Sequence, residues 1–193
     1  HGKGSIRMKV GLLEMEVSAF SFCQPNSYQI ANMYDIVCEA IDSDGTVLDL
    51  YSGIGSIALN VAGAGRHITG VENHAPSILD AQKNLLELDL PGKVDFIESS
   101  ARNFMSSLKH TVDYVILDPP RGGMSYRIWK HLERINRDIG RIRRIVYICC
   151  SLRNLQDDLD YIRDYTDWNI SSITGVDQFV HTPHLETIVV IEP

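Results

Sequence analysis

An α/β fold with a doubly wound, mostly parallel sheet is predicted by three features of this 193-residue chain. After residue 45, short apolar runs of strand length alternate with segments of helical periodicity. The first of these runs ends in a glycine-rich turn, Gly53-Ile54-Gly55. A later one, Val112–Leu117, is apolar at most positions and stops at Asp118-Pro119-Pro120-Arg121. Such a run reads as a strand buried on both faces, as in a parallel sheet. Proline cannot donate to a sheet ladder, and Pro119 biases Asp118 toward an extended backbone, so the strand must end there. Ligands of open α/β sheets bind at the carboxyl edge. Here that edge carries a carboxylate, a stiff turn and a guanidinium.

The elements follow in order. Thr46–Leu50 is a short strand, and Ser56–Ala64 a helix ended by Gly63 and Gly65. His67–Val71 is the next strand. Ala75–Leu88 is a helix with Leu79, Leu85 and Leu86 on its apolar face and Pro76 in its first turn, where proline is tolerated. Pro91-Gly92 breaks the chain before the strand Val94–Ile97. Val112–Leu117 is the fourth strand, Tyr126–Ile139 a helix, Arg144–Cys149 the fifth strand and Leu152–Tyr165 a helix. Trp168–Val176 and Thr187–Ile191 close the chain as an antiparallel pair. Before the alternation begins, Ile6–Val17 reads as one or two strands and Tyr28–Ile41 as a helix. The expected boundary therefore separates an N-terminal extension, residues 1–41, from the α/β domain, residues 42–193.

Bulk properties narrow the class. Composition is 44% hydrophobic and 22% charged, ordinary for a globular domain of this length. No apolar run approaches the ~20 residues that span a bilayer, so no membrane is expected as partner. His1-Gly2-Lys3-Gly4-Ser5 resembles a cut end, so the chain is expected to be a segment of a longer protein. The four cysteines, Cys23, Cys38, Cys149 and Cys150, form no C-x-x-C pair, so no metal site is signalled and a reducing, cytoplasmic compartment is expected. Net charge is -7, which disfavours a general nucleic-acid-binding surface. The charge is uneven, however. From Arg127 to Arg144 seven Lys and Arg residues face two acidic ones, a local balance of +5. That run is either a phosphate-facing patch or a solvated helix face.

The turn after the first strand, Asp49-Leu50-Tyr51-Ser52-Gly53-Ile54-Gly55, permits close approach of a ligand to the backbone. With Ala58 it fits the G-x-G-x-x-G/A pattern of dinucleotide sites. Glu72 ends the second strand, where a carboxylate accepts two hydrogen bonds from a ribose diol. Dinucleotides and S-adenosylmethionine share this geometry. Asp49, just ahead of the turn, disfavours a nearby pyrophosphate and suits the positive end of a methionine moiety. At the other strand end, Cys150 precedes a helix N-terminus, a field that is expected to lower its pKa and raise its thiolate fraction. Cysteines are also common small core residues. That reading suits Cys149, and strand parity leaves Cys150 open.

Together these segments resemble the catalytic domain of the RNA uracil-5-methyltransferase family, which makes 5-methyluridine in transfer and ribosomal RNA. Phe22-Cys23-Gln24-Pro25-Asn26 resembles the family's F-F-Q-V-N, and Asp49 to Gly55 its D-L-Y-C-G-I-G. Gly70-Val71-Glu72, with Asp80-Ala81 and Asn84, resembles G-V-E…D-A…N. Asp118 to Gly123 resembles D-P-P-R-x-G, and Cys150 falls on the cysteine of S-C-N-P, with Leu155, Asp158 and Leu159 matching the helix after it. Val176-Asp177-Gln178-Phe179 and His184-Leu185-Glu186 resemble V-D-x-F-P-x-T-x-H-V-E.

The resemblance implies a Rossmann-like S-adenosylmethionine-dependent methyltransferase acting on carbon 5 of a uridine in rRNA or tRNA. Cys150 would be the nucleophile that adds to carbon 6, and Glu186 the base that removes the carbon 5 proton. Gln24, Tyr51, Ser56, Glu72, Ser100 and Asp118 fall on cofactor-binding positions, with Gly53 and Gly55 making the turn. Ser100 stands where the family usually has an acidic residue. Arg121 would hold the flipped nucleotide or its phosphate. Ser151-Leu152 replaces the family's Asn-Pro, and serine supplies only part of an amide's hydrogen-bonding pattern. The implied partners are an RNA substrate and an N-terminal RNA-binding domain of the same protein, working as a monomer. The alternatives are a same-fold methyltransferase acting on another atom or only weakly active, a nicotinamide-dependent oxidoreductase, and a non-catalytic RNA-binding module.

Overall fold

In the computed structural model, residues 4–193 are described; His1, Gly2 and Lys3 of the cut-looking terminus lie outside the described residues. The chain runs β1 (Ser5–Val10), β2 (Leu13–Ser18), α1 (Ser27–Ala40), β3 (Gly45–Leu50), α2 (Ser56–Asn60), β4 (Arg66–Glu72), α3 (Ala75–Glu87), β5 (Lys93–Glu98) and α4 (Ala101–Ser107). It continues through β6 (Tyr114–Leu117), α5 (Tyr126–Asp138), β7 (Arg144–Cys149), α6 (Leu152–Tyr165), β8 (Asn169–Val176) and β9 (Glu186–Glu192). β1 and β2 form a separate hairpin, and the other strands make one sheet in the order β5-β4-β3-β6-β7-β9-β8. The five strands from β5 to β7 pair in parallel. β9 runs antiparallel to both its neighbours, β7 and β8. The α/β class and the antiparallel C-terminal pair expected from the sequence are therefore present.

The central strands lack polar alternation because both faces are covered. In β6, Tyr114 and Ile116 join one core cluster while Val115 and Leu117 join the other. In β7, Val146 and Ile148 point to the first face, and Ile145, Tyr147 and Cys149 to the second. Helices α1 and α2 and the β1–β2 hairpin pack on the first face; α4, α5 and α6 pack on the second. The second face is fixed by a buried polar contact. Asp158 of α6 accepts from Trp129 Nε1 of α5 at 2.7 Å and from the Tyr147 hydroxyl of β7 at 2.6 Å. The hairpin is held by α3: the Asn84 side chain accepts from the Glu16 N–H at 2.7 Å and donates to the Glu16 carbonyl at 2.9 Å.

Three details depart from the sequence reading. The predicted helix over 56–64 stops at Asn60. Beyond it, Arg66 Nη1 donates to the Val61 carbonyl at 3.0 Å, taking an acceptor that a longer helix would use. Leu79 and Leu86, expected on the apolar face of α3, are exposed, and Ser77, Ile78, Ala81 and Asn84 are buried instead. A helix was not predicted over residues 101–107, yet α4 forms there, capped by Ser100.

Candidate active site

The strand ends that the topology brings to the carboxyl edge build the site. The register pairs Leu50 with both Val71 and Leu117, so the next row holds Glu72, Tyr51 and Asp118 side by side. β7 runs further, to Cys149, which pairs with Thr187 of β9. The next position opposite Cys150 is therefore Glu186, the first residue of the reversed strand. Cross-strand neighbours of this kind hold their Cβ atoms about 4.5–5.5 Å apart on one face. Parity sends Asp118, Cys150 and Glu186 to the face shared with Ile116, Ile148 and Ile188, which carries α1 and the loop before it. Cys149 takes the opposite face and is buried, the core role expected of it.

A cavity of about 520 Å³ opens at this edge. Its wall includes Gln24, Tyr51, Gly53, Ser56 and Glu72 on one side, and Asp118, Arg121, Cys150 and Glu186 on the other. Of the predicted site residues, Gly55 and Ser100 do not line it. Gly55 begins α2 at a φ of 75°, and a Cβ there would sit 2.3 Å from Phe96 Cζ, so its role is to shape the turn. Ser100 spends its hydroxyl on the Asn103 N–H at 3.2 Å, capping α4. By contrast, a Cβ on Gly53 would meet nothing within 4 Å, so this glycine keeps open space along the wall. Tyr51 has a φ of 67°, a strained conformation for a bulky residue that breaks the strand's alternation.

The polar groups are arranged for a ligand. Glu72 accepts from the N–H groups of Asn73 and His74 at 2.8 Å and of Gly53 at 3.1 Å, which pins its carboxylate at the wall. Gln24 Oε1 and Ser52 Oγ, both on the wall, are buried without a hydrogen-bond partner, as is Glu186 Oε2. Behind the turn, Asp49 is fully buried and neither carboxylate oxygen has a partner. Burial, then the Asp118 charge, hold its pKa well above the ordinary value. Burial followed by the Glu186 charge pushes Asp118 up to about 7. Burial pushes Glu186 up to about 7 as well, against the pull of Arg121.

The Cys150 thiol corrects the sequence reading. Its pKa is raised, not lowered, first by burial and then by Glu186, with Arg121 opposing. The shift comes mainly from the thiol's burial, to which Glu186, brought beside it by the sheet, adds. Arg121 stands at the mouth, exposed, with its guanidinium 5.4 Å from the centre of the Phe179 ring. Asn154 of α6 holds the Arg121 carbonyl at 3.0 Å. Sequence reasoning missed Phe20, Phe22, Ser52, His74 and Phe179 as wall residues. Phe20 and Phe22 are 80% and 70% exposed, two large aromatics in a segment without periodicity, and that was the available signal.

An open α/β sheet with a reversed last strand and a ligand cavity at its carboxyl edge is the architecture of solved methyltransferases. The structure of a tRNA m1G37 methyltransferase of Methanocaldococcus jannaschii matches at a TM-score of 0.77 and 14% identity, over 100% of this chain and 55% of that one, a likeness of fold alone. The structure of tRNA (uracil-54, C5)-methyltransferase of Pyrococcus abyssi, in complex with S-adenosyl-L-homocysteine, matches at a TM-score of 0.81 and 29% identity, over 99% of this chain and 45% of that one. An uncharacterized RNA methyltransferase of Leptospira interrogans is 30% identical over 97% of this chain and 46% of its own length. The profile of the family described as tRNA (Uracil-5-)-methyltransferase matches residues 11–193, and the chain belongs to that family. It spans less than half the length of the curated relatives it matches.

Proposed function

We propose that the chain is the catalytic part of an enzyme that methylates carbon 5 of a uridine in RNA, using S-adenosylmethionine. The observation that carries this reading is that Cys150 and Glu186, which flank the last β7–β9 pair Cys149–Thr187, line the wall of one cavity. A thiol beside a carboxyl of pKa about 7 suits a reaction that needs a nucleophile and then a base. Family membership, together with a Pyrococcus abyssi relative that is a tRNA (uracil-54, C5)-methyltransferase, supports uridine, and tRNA in particular, as substrate.

The residues present fit the cofactor. Glu72 offers a carboxylate at the ribose position, Gly53 leaves space for close approach, and Gln24 Oε1 and Ser52 Oγ are buried groups that lack partners. Tyr51, Ser56 and Asp118 complete that side of the wall. When bound, S-adenosylmethionine supplies an electrophilic methyl group on a sulfonium.

The chain's own residues handle the base. The Cys150 thiolate adds to carbon 6 of uracil, and the ring electrons move to carbon 5, which becomes nucleophilic. Once carbon 5 carries the methyl group, Glu186 takes its proton and the thiolate leaves from carbon 6. Glu186 must be ionised for this step, and a value near 7 lets it be ionised and still hold the proton it receives. Burial and then the neighbouring Glu186 favour the thiol form of Cys150, so its proton must pass to water before the thiolate adds. Arg121 stands at the mouth for the flipped nucleotide, whose unstacking costs a few kcal/mol.

Calorimetry with S-adenosylhomocysteine and NAD, followed by nucleoside mass spectrometry of treated tRNA, tests the reading. Binding of the former alone and the appearance of 5-methyluridine are expected. NAD binding, or methylation at another atom, overturns it.

A further inference from the structure

The fold sorts the basic run from Arg127 to Arg144; Arg141, in the loop before β7, is exposed and unpaired among the described residues but does not line the groove between α4 and α5. Arg137 pairs with Asp138 at 2.7 Å, Arg143 with Asp113 at 3.2 Å, and Arg144 with Asp42 at 2.8 Å. Arg134 donates to the carbonyls of Met105 and Leu108, at the end of α4. These four serve the fold. Arg127 and Lys130, in the first two turns of α5, have no carboxylate within ion-pair distance among the described residues. Arg102, in the first turn of α4, is equally unpaired, and it lies outside the basic run that the sequence displays.

These three cations meet in one groove of about 380 Å³ between α4 and α5, lined also by Asn103, Ser106 and His131. No acidic side chain lines it. The positive field is felt locally: the pKa of His131 is lowered by burial and then by Arg134 and Arg102. Arg102, Arg127 and Lys130 are exposed, and beside them the lining offers only amide, hydroxyl and imidazole groups. This set matches an anion that accepts several hydrogen bonds at once, and arginine suits phosphate geometry in particular. α4 follows β5 and α5 follows β6, so both helices start at the carboxyl edge that holds Glu72, Asp118 and Cys150. The groove, lined from the first turns of both helices, therefore lies toward the same edge as the catalytic cavity. A chain of net charge -7 repels a polyanion overall, so unpaired cations on this edge are what lets one approach.

We propose that the α4–α5 groove binds backbone phosphates of the RNA substrate, holding the strand that flanks the target uridine. The inference rests on the proposed function, which supplies the RNA. An acidic protein is the competing occupant. Its carboxylates would meet the same cations, but the groove has no apolar wall to anchor a folded partner.

The test compares the intact protein with the triple variant Arg102→Ala, Arg127→Ala, Lys130→Ala and with Arg137→Ala, whose charge is already paired. Fluorescence anisotropy with tRNA transcript is read across a salt series, with S-adenosylhomocysteine affinity as the folding control and polyglutamate as the rival polyanion. Each lost phosphate contact flattens the slope of log K against log salt by about 0.7–0.9. The triple variant should lose about 2–3 from that slope and bind tRNA at least tenfold more weakly at ~0.1 M salt. Arg137→Ala should match wild type, and cofactor affinity should not move. A triple variant with wild-type affinity and slope overturns the groove assignment and leaves the methyltransferase reading intact. Loss of polyglutamate binding without loss of tRNA binding overturns it in favour of a protein partner. A wild-type protein that neither binds nor methylates tRNA fails the functional reading itself, and the groove inference with it.

Discussion

Replacing Glu186 by glutamine should make the protein more stable, and increasingly so as pH rises. The side chain is 3% exposed, its Oε2 has no partner, and its pKa sits at about 7 against an ordinary 4.5. The folded state thus keeps a proton that the unfolded chain releases. That stabilisation is complete below the unfolded value and is lost as pH rises through about 7. Working the two titrations through, ionising Glu186 costs the fold less than ~1 kcal/mol at pH 5 and about 3 kcal/mol at pH 8. Glutamine conserves the volume and cannot ionise. It also removes the charge that raises Asp118, which acts in the same direction. Urea denaturation of both proteins at pH 5 and pH 8 should show curves that nearly coincide at the lower pH. At the higher pH the variant should gain about 3 kcal/mol, or roughly 6–12 °C in Tm for a chain of this size. The same variant should lose turnover. Such a gain at the expense of activity is what a strained active-site group produces. Equal stability differences at the two pH values would refute the reasoning, because Glu186 would then titrate as an ordinary exposed carboxyl.

Two further substitutions test the frame around the site. Gly55→Ala places a Cβ against Phe96 at a φ of 75°, so denaturation should show a loss of about 1–3 kcal/mol, and calorimetry weaker binding of S-adenosylhomocysteine. Asp158→Ala leaves the Trp129 N–H and the Tyr147 hydroxyl buried without an acceptor, at about 1–3 kcal/mol each, so urea denaturation should show a loss of several kcal/mol. Adding Tyr147→Phe to that variant should recover part of the loss.

Much of this was legible in the sequence because the central strands are buried on both faces and therefore read as unbroken apolar runs. The prolines after Asp118 and the glycines after Tyr51 marked the strand ends without any tertiary information. What escaped was either short or non-local. α4 buries only Ala101 and Met105, with Phe104 half-buried beside them, over seven residues, too brief a pattern to register. The direction of the Cys150 shift depends first on burial in the folded chain and then on Glu186, which lies 36 residues away and meets it only through the sheet. The basic run could be seen, but not which of its members were already paired. Arg143 and Arg144 find their carboxylates only in the folded chain, and Arg102 joins Arg127 and Lys130 only because α4 packs beside α5.

The central claim is that Cys150 attacks carbon 6 of a uridine while Glu186 stands by as base. RNA carrying 5-fluorouridine addresses it directly, because fluorine cannot leave as the proton does and the covalent adduct should persist. The intact wild-type protein with S-adenosylmethionine should form a complex that survives denaturing electrophoresis, and Cys150→Ala should form none. An adduct that persists in Cys150→Ala would contradict the assignment. So would a wild-type protein that methylates ordinary RNA yet leaves the fluorinated RNA untrapped.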